Sequence, residues 1–202
     1  VDDAERLLSL AEEANVRIGV GASHRFLPLR SVLPARWRPT LAVYHAAGLP
    51  ADEWPLLLDR AVDWLRTLLR GEGVRRIEAE PMRASALADA HVFGLRFANG
   101  RYAQAMIRRH APEPAENLWV AAADREAEID VRAGTAWTRI AGAEPGPPSF
   151  ARHTLPEADP VHDELAQFVR SVQDNVPAPV PLLDALQSMR TAERVRTRLR
   201  RT

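Results

Sequence analysis

The sequence contains no cysteine and no lysine, so all 27 of its basic residues are arginines. The first absence excludes disulfides, thiolate metal sites and a cysteine nucleophile, and it fits a cytoplasmic location. The second excludes a lysine general base, a Schiff base and a lysine phosphate cradle within these residues. Neither sign of charge is in excess: 27 acidic residues balance the arginines, the formal net charge is zero and the isoelectric point is 7.2. Bulk electrostatics therefore give no reason to expect nucleic acid or an anionic membrane as partner. No apolar run is long enough to span a bilayer, and no basic segment followed by an apolar one opens the chain at Val1-Asp2-Asp3, so neither anchor nor leader is expected. The six histidines form no HxH or HExxH pair and no GxSxG occurs, which leaves no signal for a metal site or a serine nucleophile.

What is present suffices for one good-sized core, with 46% of the 202 residues hydrophobic. The strongest local signal is a hairpin over residues 88–109, in which two runs of β-formers flank Asn99-Gly100. A two-residue type I′ loop there predicts that Phe97 opposes Tyr102, Phe93 opposes Met106 and Val92 opposes Ile107. Such a hairpin is marginal alone and needs strands beside it and helices against it.

The flanking sequence offers both. Asp2 or Asp3 can cap a helix to about Ala14, and residues 16–21 read as a short buried strand, the rear half of a βαβ unit. Gly19-Val-Gly21-Ala-Ser-His24 mimics a dinucleotide fingerprint, but His24 replaces the third glycine and Arg25-Phe26-Leu27-Pro28 opens no helix behind it. A short helix is expected within residues 29–37, a strand over 40–45, and a strong helix from an Asp52 cap to Gly71. Strands follow at 74–83, in the hairpin, at 118–123, at 126–132 with 135–140 turning on Ala133-Gly134, and at the edge over 150–155. Two closing helices, about 160–175 and 181–199, group Leu165, Phe168, Val169 and Val172 on one, and Leu182, Leu186, Met189, Ala192 and Val195 on the other. The pattern predicts an α+β fold: an open, mostly antiparallel sheet with helices packed on one face (residues 25–202), preceded by a helix-strand remnant of a Rossmann-type layer (residues 1–24).

This order of elements, together with several motifs, resembles the glucose-fructose oxidoreductase and inositol dehydrogenase (Gfo/Idh/MocA) family. The resembling pieces are residues 3–21, His24-Arg25-Phe26-x-Pro28, residues 63–71 leading into 74–79, Phe97-x-Asn-Gly100, and Asp163 to Phe168 through Pro177 to Glu193. The resemblance implies a Rossmann domain paired with an antiparallel sheet domain that binds substrate and forms homo-oligomers. It also implies NAD or NADP as cofactor of a complete member and a sugar-like or cyclitol alcohol as substrate. These residues include neither the family's Gly-rich phosphate loop nor its Glu-Lys-Pro. Where the family keeps a histidine three residues before the aspartate matching Asp63, Arg60 stands. An arginine stays protonated, so it cannot take up the hydroxyl proton as hydride leaves.

The reading is thus the C-terminal, substrate-binding and oligomerisation portion of such an oxidoreductase, inactive alone and with no cofactor of its own. The alternative is a non-catalytic scaffold or dimerisation protein derived from the same family. Candidate substrate-binding residues are Arg25, His45, Asp59, Arg60 and Asp63. Asp59 and Asp63 share a helical face, with Arg60 and Trp64 on the next stripe, an arrangement that equally describes a surface ion-pair cluster beside a core tryptophan. Arg25 matches a family loop arginine for which ligand and bracing roles are both open. Tyr44 and His45, adjacent on a strand, are expected on opposite sides of the sheet. Arg190, Arg194, Arg198 and Arg201 form a basic stripe, read as a solvated helix face.

Overall fold

A computed structural model describes residues 2–34, 36–50, 53–71, 73–83, 89–141 and 148–200. The chain opens with helix α1, Asp2–Ala14, which carries Asp2, Asp3 and Glu5 in its first turn where the helix dipole favours them. Asn15 ends it at φ 51°, with Val16 N–H closing back on Ala11 O at 2.9 Å. Residues 16–21 do not form the expected strand. With no strand to lie beside, they stay half to fully exposed and reach the rest through the Gly19–Pro181 bridge, where Val20 N–H donates to Val180 O at 3.0 Å, and through Arg17, which donates to Ser171 O at 2.7 Å. Single 3₁₀ turns at Ser23–Phe26 and Leu29–Ser31 follow, the second standing where a helix to residue 37 was predicted.

The sheet has eight strands: β1 Leu41–Ala47, β2 Val74–Arg83, β3 Asp89–Phe97, β4 Tyr102–Arg108, β5 Ala115–Ala121, β6 Arg125–Asp130, β7 Thr135–Ile140 and β8 Ser149–Thr154. Their spatial order is β2-β3-β4-β1-β5-β6-β7-β8, antiparallel throughout except that β1 runs parallel to β4. Helix α2, Trp54–Leu68, carries the chain from β1 in the middle to β2 at one edge, and the β2-β3-β4 meander then walks back to β1. Asp52, the expected cap of α2, lies outside the described residues. Strand β5 begins three residues earlier than its sequence suggests, at Ala115, because it pairs with the whole of β1.

The central hairpin forms, but one residue out of the predicted register. Phe93 opposes Ala105, Leu95 opposes Ala103 and Arg96 opposes Tyr102. The loop has three residues, with Gly100 at φ 80° and Asn99 in the ordinary negative range, so it is not type I′. The cause lies outside the hairpin. Its tip closes the end of α2: Asn99 Nδ2 donates to Arg70 O at 3.3 Å, Arg101 Nη1 donates to Leu69 O, and Ala98 N–H donates to Gly73 O at 2.9 Å. These bonds satisfy carbonyls a helix end otherwise leaves open, and the slip puts Phe93, Leu95 and Phe97 on the core face while Met106 turns outward.

Helices α2 and α4 (Leu182–Leu199) pack against that face, and α1 lies on α4. In α4 the expected apolar positions are buried except Met189. Of its arginines, Arg190 donates to Glu5 at 2.6 Å and Arg194 to Val74 O at 3.2 Å, while Arg201 lies outside the described residues. Helix α3, Pro160–Gln173, is capped by Asp159, whose carboxylate accepts from Val161 and His162 N–H. Its apolar stripe is grouped as predicted, yet Leu165, Val169 and Val172 are 60%, 52% and 51% exposed, since nothing among the described residues covers them. Only Phe168 turns inward, filling the space over Gly19. Among the described residues no helix covers the other face of the sheet, which presents Met106, Trp137 and Phe150 to solvent, with Arg152 stacked 5.6 Å from the Trp137 ring.

Candidate ligand-binding cleft

A cleft of about 670 Å³ opens between the segment Val20–Arg25, α2, α3 and α4. Its centre is Asp63, placed on the cleft side of α2 by the same face that carries Asp59 one turn earlier. Asp63 is nearly buried and collects four donors. Arg25 embraces it with Nε at 2.6 Å from Oδ2 and with Nη2 on Oδ1, His24 Nε2 lies 2.7 Å from Oδ2, and Ser188 Oγ donates to Oδ1 at 2.6 Å. Burial alone would raise this carboxyl, but those hydrogen bonds and the Arg25 charge outweigh it and hold it well below the usual carboxylate range. An ionised Asp63 accepts only, so His24 carries its proton on Nε2 in this contact.

A second layer holds the first. Arg25 Nη1 donates to Asp184 at 2.6 Å, and Arg66 donates to Ser188 Oγ and Gln187 Oε1, each at 2.6 Å. The Ser188 hydroxyl therefore accepts from Arg66 while donating to Asp63, a relay that leaves it one orientation. His24 also stacks on Trp64 at a centroid distance of 6.0 Å.

Arg60 stands at the neighbouring wall. It donates to Glu53 at 3.0 Å, and its Nε lies 3.3 Å from Glu116 Oε1 without hydrogen-bond alignment. The same Glu116 oxygen accepts from the buried Tyr44 hydroxyl at 2.7 Å. Burial, and after it the Glu116 charge, push the Tyr44 phenol far up, so it remains a donor at any working pH. Replacing Tyr44 by Phe should cost about 2 kcal/mol in urea denaturation, the worth of a buried hydrogen bond to a charged acceptor. An unchanged midpoint would mean Glu116 is held by Arg60 alone. Across the cleft, Asp59 pairs with Arg196, and Arg196 also lies 3.6 Å from Glu193. Burial pushes the Asp59 carboxyl up, Arg196 opposes that, and the Glu193 and Asp63 charges add to it.

Of the five residues singled out from sequence, Arg25, Asp59, Arg60 and Asp63 line this one cleft. His45 does not. It lies on the uncovered sheet face between Met106 and Asn117, where its buried Nε2 lacks a hydrogen-bond partner, and burial together with Arg108 lowers its pKa. Tyr44 faces the helices instead, so the two are on opposite sides as expected. Sequence reasoning missed His24, Ser188, Arg196, Glu164 and Glu193. The one available signal for Ser188 was a polar position, with Thr191, interrupting the apolar face of α4.

The residues present do not fit a dinucleotide at the Gly19–Gly21 turn. A phosphate there needs free backbone N–H groups, but Ala22 N–H already donates to Glu164 Oε1 at 2.5 Å and the Phe168 ring fills the space over Gly19. Among the described residues no three side chains converge to hold a metal ion.

No protein-family model matches the sequence, and no curated protein matches it. Solved structures do. UDP-N-acetylglucosamine 3-dehydrogenase GnnA from Acidithiobacillus ferrooxidans superposes with a TM-score of 0.85 at 19% identity, covering 98% of this chain and 67% of its own. A dehydrogenase from Chromobacterium violaceum gives 0.79 at 17%, covering 98% and 66%. An NAD binding oxidoreductase from Klebsiella pneumoniae gives 0.80 at 13%, covering 98% and 68%. The chain spans about two thirds of the length of these structures. It therefore has the fold that these dehydrogenases share over that span, the α+β architecture that its resemblance to the Gfo/Idh/MocA proteins implied.

Proposed function

We propose that this chain is the substrate-binding and self-associating portion of an NAD(P)-dependent oxidoreductase of Gfo/Idh/MocA type, and that its cleft holds a sugar-like or cyclitol alcohol. The observation that carries the reading is the convergence of Arg25, Asp59, Arg60 and Asp63 on one cleft of about 670 Å³, large enough for a monosaccharide. Carboxylates and guanidinium groups held rigid by each other offer acceptors and donors to several hydroxyls at once. Arg60 orients a hydroxyl by donating to it and, as a guanidinium, does not take up that hydroxyl's proton. The uncovered sheet face with Trp137, Phe150 and Met106 supports self-association. Arg60 in place of histidine favours a second reading, a binding or scaffold protein that has given up the reaction while keeping the fold.

Calorimetric titration of the chain with myo-inositol, NADH and NADPH tests the first reading. The polyol should bind in the millimolar range, weakened at least tenfold by Arg60→Ala, and neither dinucleotide should bind. Tight NADH binding would overturn the cofactor assignment. No polyol heat at saturating concentration would leave only the scaffold. Sedimentation should find a dimer that Trp137→Glu dissociates, and a wild-type monomer would remove the self-association.

A further inference from the structure

The charges lining the cleft do not cancel. Arg25 is matched by Asp63, Arg60 by Glu53 and Arg196 by Asp59, which leaves Glu164 on α3 and Glu193 on α4 as surplus carboxylates on the same cleft; His24, also on the lining and held against Asp63, cancels at most one of them. Among the described residues, the groups just behind the wall do not redress this. Arg25 also faces Asp184, and Arg60 also faces Glu116, so the nearest further groups include two more acids, against which Arg66 supplies one cation. Among the described residues, Glu193 has only the shared Arg196 at 3.6 Å, while Glu164 accepts from a backbone N–H and from no charged donor. The rest of the lining is uncharged apart from His24, and Val20, Leu56, Val161 and Met189 make up its apolar part.

A cleft with this balance repels anions and attracts cations at short range, the more so because its walls exclude part of the water. From the two surplus carboxylates in a cleft walled by paired arginines, we infer that the sugar-like ligand carries a protonated amine, as an amino sugar or aminocyclitol does, and not a phosphate or nucleoside diphosphate. The inference rests on the polyol reading of the cleft and makes it more specific. The ammonium lies toward Glu164 and Glu193, with three donors for two carboxylates, and the hydroxyls lie toward Arg60 and Asp59.

Three probes of one ring size separate the possibilities: glucose, glucosamine and glucose 6-phosphate, titrated at low salt near about pH 6.5, below the range of an α-amino group. Glucosamine should bind roughly tenfold tighter than glucose, the phosphate ester more weakly than either, and added salt should shrink the spread. Glu193→Gln, at an exposed position whose charged contact is Arg196 at 3.6 Å, should reduce the preference for glucosamine over glucose about threefold. Equal affinities for glucose and glucosamine, or tightest binding of the phosphate ester, would overturn the amine assignment while leaving the polyol site standing. Failure of all three sugars to bind would overturn the polyol reading, and the amine assignment with it.

Discussion

Asp63→Asn should lower the stability of this chain by about 3 kcal/mol, since it strips the charge from a pair in which both side chains are only 10% exposed. Removing one member of a nearly buried ion pair costs more than the pair was worth, because Arg25 then keeps its charge with only the half-exposed Asp184 to meet it. For a chain of this length the loss corresponds to a melting temperature lower by roughly 6–12 °C. The pH dependence carries the more specific signature. The folded Asp63 carboxyl titrates below its unfolded value, so its contribution is fully present above about pH 4, where the unfolded carboxylate is ionised, and is lost as pH falls further. Urea midpoints of wild type and Asp63→Asn should therefore differ most near neutrality and converge in acid. Parallel curves would mean that the carboxylate's protonation does not matter to the fold, and the network around it would be reduced to packing.

The second large effect sits at the junction of α2 with the central hairpin. Phe97→Ala should cost about 4 kcal/mol, in the range for emptying a fully buried aromatic site, since its ring is 1% exposed. The same ring is the reason position 71 is glycine: a Cβ there would strike Phe97 Cε1 and Cδ1. The positive φ in that turn belongs to Arg70, at 47°, so the requirement at Gly71 is space and not backbone freedom. Gly71→Ala should accordingly cost about 2 kcal/mol by overpacking. Combined with Phe97→Leu, which retracts the clashing edge, it should cost less than the sum of the two single changes by at least 1 kcal/mol. Additive losses in denaturant titration would show that the two positions do not share one space, and the account of the shifted hairpin register would lose its anchor.

That register shows how far the pattern of residues reaches. Alternation in residues 90–98 and 101–109 with Asn99-Gly100 between them specifies a hairpin. It does not specify which faces meet, because a loop of two or three residues suits the same pair. The choice was made by the end of α2, whose Leu69 and Arg70 carbonyls needed donors that only the longer loop presents. Residues 16–21 illustrate the opposite failure. Their composition suits a buried strand, but strand formation needs a neighbouring edge, and the described residues provide only one bridge.

By itself the sequence determined most of the element types, the hairpin-rich sheet with helices on one face, and the shared helical face of Asp59 and Asp63. Those properties follow from periods of 3.6 and 2 and from side-chain chemistry, which act within a few residues. Tertiary structure alone decided that β1 lies parallel to β4 in mid-sheet, that His45 faces away from the cleft, and that Ser188 and Arg25 meet on Asp63 from 125 and 38 residues away. Contacts across such separations depend on how whole elements pack, and no local pattern encodes which partner a buried charge will find.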